Sequence, residues 1–335
     1  MDAAMLTRWP GWARTHFPGL MACGVVAAAA SFLAQHYGAP VMLFALLLGL
    51  AMNFLSGEGA CAAGIEFGAR QVLRVGIALL GLRITGGQVL ALGWEPLALV
   101  VVSVVLTIAL SMLVARALGF QTLFGLLTGG ATAICGASAA LALSAALPVH
   151  PQKERATLFT VIGVSALSTL AMIAYPMLAR ALGLSDHAAG VFLGATIHDV
   201  AQVVGAGYSL SHETGDVATL VKLTRVAMLL PVIMLAAAMT RARGATDGPR
   251  PPLLPGFAVA FALLVAVNST GIVPPAIQAG ASELSRACLV AAIAAIGMKT
   301  QLRDLATVGL KPVLLMAGET VFLAGLVLGW LWWLG

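Results

Sequence analysis

A cluster of polar side chains within an apolar segment is the strongest chemical signal in this sequence. The stretch GATIHDVAQ at residues 194–202 places His198 beside Asp199, and Gln202 follows one helical turn later. A lone histidine in such surroundings is usually a hydrogen-bonded structural residue, whereas a His–Asp pair with a nearby glutamine indicates a binding site. Because histidine changes its charge near neutral pH, this pair is predicted to carry protons.

A second interruption lies in GATAICGASAALALSA, residues 130–145. Gly136 lowers helix propensity there, and Thr132 and Ser138 add hydroxyl groups. We predict that the helix breaks here and that a new helix begins near Cys135–Ser138. Unpaired amides at such a helix start carry partial positive charge and favour anions. The alternative is that these small residues only allow two helices to pack closely.

Two basic residues follow in the next apolar segment. Lys222 and Arg225 are three residues apart and therefore share one face of a helix. One interpretation is that they extend towards the lipid headgroups. The functional interpretation makes them the basic wall of an anion pathway or the countercharges of Asp199. Together with the helix starts, these bases favour a small anion over a cation as the ligand.

The overall composition places this chemistry in a membrane. Of the 335 residues, 60% are hydrophobic and 9% are charged, and the mean hydropathy is +1.00, whereas soluble domains carry about 25% charged residues. We predict an all-α polytopic membrane protein without a soluble domain, whose longest loop covers residues 241–256. Its eleven predicted spans cover about 18–37, 40–56, 64–92, 96–118, 122–148, 156–181, 188–209, 217–240, 255–274, 283–301 and 312–334, with 122–148 and 188–209 interrupted.

Charge placement predicts the orientation. With a cytoplasmic N-terminus, most basic residues between spans fall in inner loops, and the outer loops hold acids, with Lys153 and Arg155 as exceptions. We therefore predict a multi-pass protein of a bacterial cytoplasmic (inner) membrane with its N-terminus in the cytoplasm. The net charge of +5 then reflects topology and not nucleic-acid binding. The four cysteines lack metal or disulfide spacing, so no metal and no cofactor are expected.

Two segments of the chain resemble each other. GLRITGGQVLALGWEP at residues 81–96 aligns with GMKTQLRDLATVGLKP at residues 297–312, with glycines, a basic residue and a proline in register. An odd number of spans separates the copies, which predicts an inverted-topology repeat of a secondary transporter. Chance similarity between Gly- and Leu-rich segments is the alternative. A second echo, GAT at 130–132 and 194–196, opens each interruption, and its origin stays open.

Four segments also resemble a known family. They are TAICGASA (132–139), LGATIHDVAQVVGAG (193–207), VKLTRVAMLLPV (221–232) and IGMKTQLRDLATVGLKP (296–312). These residues resemble the YeiH-type family of sulfate exporters, which is related to the cation/proton antiporters and bile-acid transporters. The match runs in order through nearly the whole chain from about residue 40 onward.

This resemblance implies one transmembrane transporter domain, residues 1–335, in which a panel subdomain and a core subdomain with broken or crossed helices move relative to each other. It also implies a homodimer. The family motifs map onto Cys135, Gly136, Ala137 and Ser138 in one interruption and onto Thr196, His198, Asp199 and Gln202 in the other. Asp199 stands where many members carry a glutamate, so the reach of the carboxylate differs here.

We therefore predict a secondary active transporter, not an enzyme, that exports a small oxyanion such as sulfate or sulfite by alternating access. The expected partners are the oxyanion, the lipid bilayer, a coupling H⁺ or Na⁺ and a second copy of the chain. The predicted substrate-binding residues are Thr132, Cys135, Gly136, Ala137, Ser138, Thr196, His198, Gln202, Lys222 and Arg225, and the predicted coupling residues are Asp199 and His198.

Two other functions fit less well. A cation/proton antiporter of similar architecture would need one or two midplane carboxylates that no nearby base balances. Asp199 is the only candidate for such a carboxylate, and the bases Lys222 and Arg225 lie only one span away from it. A membrane-embedded enzyme or sensor would explain a His–Asp–Cys set. However, the sequence has neither metal-ligand spacing nor a nucleophile elbow.

Overall fold

The computed structural model describes residues 3–37, 41–57, 59–91, 93–147, 152–241, 256–301 and 308–334. Nearly all of these residues are helical, and no β-strand occurs within these ranges. The predicted loop at 241–256 lies almost wholly outside the described residues.

Helices occupy the apolar segments because a membrane offers no water to backbone N–H and C=O groups, which must then pair within the chain. A 3₁₀ turn at Asn53–Ser56 and a π-helical turn at Gly68–Val72 accompany the α-helices of the N-terminal region. The α-helices are α1 (Ala3–Tyr37), α2 (Val41–Ala51), α3 (Ala62–Phe67), α4 (Leu73–Leu80), α5 (Gly86–Ala91), α6 (Glu95–Ala117), α7 (Thr122–Ala133), α8 (Ala137–Ala146), α9 (Lys153–Ala181), α10 (Asp186–Thr196), α11 (Val200–Tyr208), α12 (His212–Ala227), α13 (Leu229–Arg241), α14 (Gly256–Ser269), α15 (Pro275–Lys299) and α16 (Leu310–Leu334).

Several helical segments have the length and composition needed to cross a bilayer, which confirms the prediction of an all-α, multi-pass membrane protein. Every one of the eleven predicted spans contains helix, but the count of eleven crossings stays a prediction. Within the described ranges, the six segments long and apolar enough to cross are Gly11–Tyr37, Glu95–Ala117, Arg155–Ala181, His212–Ala236, Pro275–Lys299 and Leu310–Trp333.

The first of two compact units comprises Met1–Gln88 and Gly256–Gln301. Here α15 packs along α2 and α4, and α1 packs along α2 and α3. At the surface of this unit Glu66 forms ion pairs with both Arg70 and Lys299. These two bases are therefore paired within their own unit.

The second unit comprises Val89–Pro255 and Leu302–Gly335 and contains both interrupted helices with every predicted site residue. In it α6 packs against α7, while α12 packs against both α10 and α11. The last helix, α16, contacts α6, α7, α9 and α10. The assignment of panel and core subdomains stays a prediction.

The two sequence echoes each have a structural counterpart. Gly93 and Gly309, which the first echo aligns, both adopt positive φ angles, of 76° and 91°, just before α6 and α16 begin. The GAT tripeptides lie at the C-terminal ends of α7 and α10. The opposite direction of the two longer copies stays a prediction.

Candidate functional site

The first interruption separates α7 from α8. α7 ends at Ala133, and α8 begins at Ala137. Gly136 joins them with φ 66° and ψ −129°, a backbone conformation that residues with a Cβ rarely adopt. Its N–H donates to the carbonyl of Ala131 at 2.8 Å. The glycine therefore permits the break at the position that the sequence predicts.

The second interruption separates α10 from α11 and is closed by a side chain. Asp199 is the N-cap of α11, and its Oδ1 accepts a hydrogen bond from the backbone N–H of Ala201 at 2.8 Å. The Asp199 N–H in turn donates to Ser168 Oγ at 3.0 Å. Asp199 thus satisfies an orphan donor of the new helix, as its position after a Gly-Ala-Thr break suggests.

The two breaks face each other inside the second unit. A Cβ placed on Gly136 would lie 3.6 Å from His198 Cβ and 3.8 Å from Asp199 N. Among the residues that the structure describes, no side chain caps α8, whereas Asp199 caps α11. Because the first amides of a helix have no intrahelical partner, the partly exposed Ala137 and the exposed Ser138 begin α8 with donors that their own helix does not satisfy.

Lys222 and Arg225 are fully buried on α12 and bind the ends of both broken helices. Lys222 Nζ donates to the carbonyl of Ile134 at 2.6 Å and to that of Ile197 at 2.8 Å. Each of these acceptors is the residue that directly follows α7 or α10. One ammonium group therefore joins both breaks.

Arg225 repeats this arrangement one helical turn further along α12. Its Nε donates to the carbonyl of Ala133 at 2.8 Å, and its Nη1 donates to that of Ala195 at 2.5 Å. Nη2 also donates to the carbonyl of Thr132 at 3.2 Å. These contacts differ from the predicted anion wall, because both bases donate to backbone carbonyls at helix C-termini.

The crossing, where the break at residues 134–136 meets the break at residues 197–199, has more basic than acidic side chains. Lys222 and Arg225 are fully buried there, and Asp199 is the acidic residue within the two breaks. The partial charges of the four helix ends are positive at N-termini and negative at C-termini and sum to about zero.

Two buried polar atoms near the crossing have no hydrogen bond of normal geometry within the described part of the chain. They are His198 Nδ1 and Gln202 Oε1. The other ends of these side chains are held: His198 Nε2 lies 3.0 Å from Thr320 Oγ1, and Gln202 Nε2 donates to Thr169 Oγ1 at 2.9 Å. Buried polar atoms are nearly always paired, so these two point to a ligand or to water.

Either ring nitrogen of a neutral His198 can carry the proton. The Thr320 hydroxyl lies 2.8 Å from the carbonyl of Met316 and 3.0 Å from His198 Nε2, and its hydrogen can turn to either partner. A protonated imidazole donates at both ring nitrogens, so protonation of His198 adds one N–H donor.

The remaining predicted residues have mixed environments. Cys135 is buried in the first break. The Thr196 hydroxyl donates to the carbonyl of Phe192 at 2.6 Å, so its hydrogen is used within α10. The Thr132 hydroxyl donates to Glu319 Oε2 at 2.8 Å. Thr132 therefore joins the crossing to an acidic residue that the prediction left out of the site.

Glu319 is the functional candidate that the sequence analysis missed. It lies on α16, is buried, and accepts hydrogen bonds from Ser111 and Thr128 as well as from Thr132. The available signal was that Glu319 is the only acid in the last apolar segment, since an ionisable residue there is costly and usually functional.

A separate cavity of about 380 Å³ lies between α7, α9 and the start of α16. Its lining includes Phe120, Phe124 and Phe159, with Lys153 and Arg155 also present. None of the predicted site residues lines it. The cavity is therefore distinct from the crossing.

The cap predicts different outcomes for two substitutions of Asp199. Asp199→Ala should lower the free energy of unfolding by about 1 kcal/mol, because the Ala201 donor loses its partner. Asp199→Asn should cost much less, since asparagine caps equally well. Thermal unfolding of the detergent-solubilised protein measures both. Ser211→Ala, which removes the cap of α12, is the matched control, and equal losses for Asn and Ala would contradict the capping role.

Comparison with known proteins places this chain among relatives of matching length. Residues 18–316 match the family described as conserved hypothetical protein 698. The chain is 54% identical to a UPF0324 membrane protein of Chlorobaculum tepidum, over 95% of this chain and 90% of that protein. It is also 54% identical to the UPF0324 membrane protein TauZ of Paracoccus denitrificans, over 92% of each.

A UPF0324 membrane protein of Rhizobium meliloti is 50% identical over 96% of this chain and 94% of its own length. No solved structure matches the chain. The family predicted from the four quoted segments is thereby confirmed. This multi-pass membrane protein belongs to the family of conserved hypothetical protein 698, the YeiH-type or UPF0324 membrane proteins.

Proposed function

We propose that the protein is a secondary active transporter, not an enzyme, that moves a small oxyanion such as sulfate or sulfite across the bacterial cytoplasmic membrane by alternating access. Export is the expected direction, because an inside-negative potential drives anions outward, and a divalent oxyanion that moves with one proton still carries a negative charge. The N-terminus is expected in the cytoplasm and the transporter is expected to be a homodimer. Protons or sodium ions are the coupling ions.

One observation carries this proposal: the uncapped start of α8 lies beside His198 at a crossing where buried bases outnumber acids. Oxyanions accept hydrogen bonds from backbone amides at helix starts, and the helix dipole favours their charge. Ala137 and Ser138 supply the amides, the Ser138 hydroxyl adds a donor, and Gln202 lies one turn into α11. Lys222 and Arg225 contribute charge without touching the anion.

His198 supplies a route to proton coupling. When the ring takes up a proton, both of its nitrogens become donors, so that an anion at Nδ1 and the proton bind together. Asp199, the next residue in the chain, places a carboxylate close to the imidazolium. Asp199→Asn retains the cap of α11 and therefore tests the charge alone: it should remove the contribution of Asp199 to the pH dependence of transport, and an unchanged pH profile would exclude that role.

The test is transport by the purified protein in liposomes. Uptake of radiolabelled sulfate, sulfite and taurine is measured at several pH values, with and without sodium. We expect saturable transport of at least one inorganic oxyanion, which unlabelled anion inhibits. A sodium- or potassium-dependent proton flux that is indifferent to every anion would instead establish a cation/proton antiporter.

Substitution of Gly136 tests the anion site at the start of α8. Gly136→Ala should cost about 1–3 kcal/mol of stability, because alanine is strained at the positive φ angle of this residue. A steric clash is not the cause, since the added Cβ would lie at ordinary contact distance from His198. It should also weaken sulfate binding at least tenfold, since relief of the strain turns the α8 amides away from the crossing. Isothermal titration with sulfate and thermal unfolding give the two readouts.

Gly183→Ala is the control for this variant. Gly183 also has a positive φ angle, of 65°, with no atom near the position of its Cβ, and it follows the end of α9. It should lose stability and keep its sulfate affinity. Parental sulfate affinity in Gly136→Ala would remove the α8 amides from the proposed site.

A further inference from the structure

We propose that Glu319, enclosed by Ser111, Thr128 and Thr132, is a proton-binding site whose proton is transported together with the oxyanion. The proton-binding half of this inference depends only on the geometry around Glu319. The cotransport half rests on the proposed transport function. Neither half assigns the proton to Asp199, which caps α11.

The carboxyl group of Glu319 is surrounded by hydroxyl groups and is 2% exposed. Oε1 lies 2.5 Å from Ser111 Oγ and 2.8 Å from Thr128 Oγ1, and Oε2 lies 2.8 Å from Thr132 Oγ1. No salt bridge to Glu319 occurs among the described residues. A buried carboxylate without a cationic partner is costly in its charged form, which distinguishes Glu319 from an acid that merely holds a base in place.

The hydroxyl groups can satisfy both protonation states of Glu319. When the carboxyl group is ionised, Ser111, Thr128 and Thr132 each donate one hydrogen to it. When it is protonated, Oε1–H donates to Ser111 Oγ, and the Ser111 hydroxyl turns its own hydrogen to the carbonyl of Gly125, which lies 2.7 Å away. One proton is taken up or released, and no polar atom of Ser111 or Glu319 loses its partner.

The spacing of the oxygens favours a proton over a metal cation. The contacts of Glu319 Oε1 with Ser111 and Thr128, at 2.5 and 2.8 Å, are hydrogen-bond lengths. Ser111 and Thr128 are also within 3.1 Å of each other. The 2.5 Å contact in particular is the length of an O–H···O hydrogen bond that involves a charged group. A shared hydrogen therefore accounts for the distance between Glu319 Oε1 and Ser111 Oγ.

Two residues connect this proton site to the crossing. Thr132 donates to Glu319 through its hydroxyl and accepts from Arg225 Nη2 at its carbonyl. Thr320, the next residue after Glu319, meets His198 Nε2.

The other helices packed on α16 add hydroxyl groups from α6 and α7, and Gly163 of α9 lies against Met316. The basic groups nearest to Glu319 in this network are Arg225, which is linked through Thr132, and His198, which is linked through Thr320. Lys222 and Asp199 belong to the crossing itself.

This connection couples the two ligands electrostatically. An ionised Glu319 places a negative charge beside the crossing, and that charge repels an oxyanion bound there. A protonated Glu319 removes this repulsion. Proton binding therefore strengthens anion binding, and by linkage anion binding strengthens proton binding by the same factor.

Infrared difference spectroscopy of the reconstituted protein tests the proton site without any anion. Acidification should produce the C=O stretching band of a protonated carboxylic acid in the wild type, and Glu319→Gln should lack that band. The variant should still fold, because its amide N–H replaces the acid O–H towards Ser111. Thr107→Val is the control and should keep the band. Thr107 lies one turn before Ser111, and its buried hydroxyl has no hydrogen bond to any residue that the structure describes.

Transport in liposomes tests the coupling. One cotransported proton gives tenfold accumulation for each unit of pH difference, so Glu319→Gln should lower the accumulation of the transported oxyanion about tenfold across one pH unit. Exchange of internal for external anion at equal pH should continue. Full pH-driven accumulation in Glu319→Gln would overturn the cotransport half.

The outcomes separate this inference from the proposed function. A carboxylic-acid band that persists in Glu319→Gln overturns the proton site, whatever the protein transports. A band that disappears in Glu319→Gln supports the site even if the wild type moves no oxyanion, in which case the transport proposal fails alone. Sodium-dependent transport that Glu319→Gln abolishes, with no acid band in the wild type, overturns the inference in favour of a cation site.

Discussion

Arg225→Ala should be the most destabilising single substitution in the second unit. The guanidinium group is fully buried and donates to carbonyls at the ends of both α7 and α10. Its removal leaves at least two buried acceptors without partners, at about 1–3 kcal/mol each, and also removes the charge that balances two helix C-termini. We expect a loss of more than about 3 kcal/mol, measured as a lower temperature of unfolding in detergent.

The control for this prediction is Arg180→Ala. Arg180 lies in the last turn of α9 and is exposed, so its removal takes away the same side chain without opening a buried acceptor. It should change stability by less than about 0.5 kcal/mol. Similar unfolding temperatures for Arg225→Ala and Arg180→Ala would contradict the role assigned to Arg225.

Lys222→Ala extends the same test to anion affinity. Lys222 holds one carbonyl from each break, so its loss should both destabilise the protein and weaken sulfate binding through the lost charge. Raising the salt concentration should not reproduce this effect, because buried charges are screened little. If Lys222→Ala and Arg225→Ala both bound sulfate like the parent, the two bases would have only a structural role.

The breaks were predictable because their signals are local. Any glycine permits a positive φ angle, as Gly136 does here, and Asp199 caps the helix that starts next to it in the chain. Apolar length likewise indicates helical spans without knowledge of their neighbours. Such features need only a few consecutive residues, and the sequence contains them all.

The contacts of the bases could not be predicted in the same way. The spacing of Lys222 and Arg225 shows that they share a helix face, but their acceptors at Ile134 and Ala133 are 88 and 92 residues away in the chain. The hydroxyl partners of Glu319 are 187 to 208 residues away. Which helix faces meet is decided by packing, and no short motif carries that information.

Substitution of His198 should remove one of two contributions to the proton dependence of anion binding at the crossing, the other being that of Glu319. His198→Gln retains a side-chain amide that donates to Thr320 in place of Nε2, and it removes the titratable atom Nδ1. Because a protonated ring donates at both nitrogens and adds positive charge, the wild type should bind sulfate more tightly as the pH falls. The variant should bind weakly at every pH, with the remaining dependence due to Glu319.

Titration calorimetry with sulfate in buffers of different ionisation enthalpy measures this coupling directly, since it counts the protons taken up with each anion. The wild type should take up more protons per anion than His198→Gln. Thr320→Val is the matched control: it removes the partner of Nε2 and leaves Nδ1 able to titrate, so proton uptake should persist at reduced affinity. Equal proton uptake in the wild type and in His198→Gln would assign the coupling to another group. The double variant His198→Gln with Glu319→Gln would then show whether Glu319 is that group.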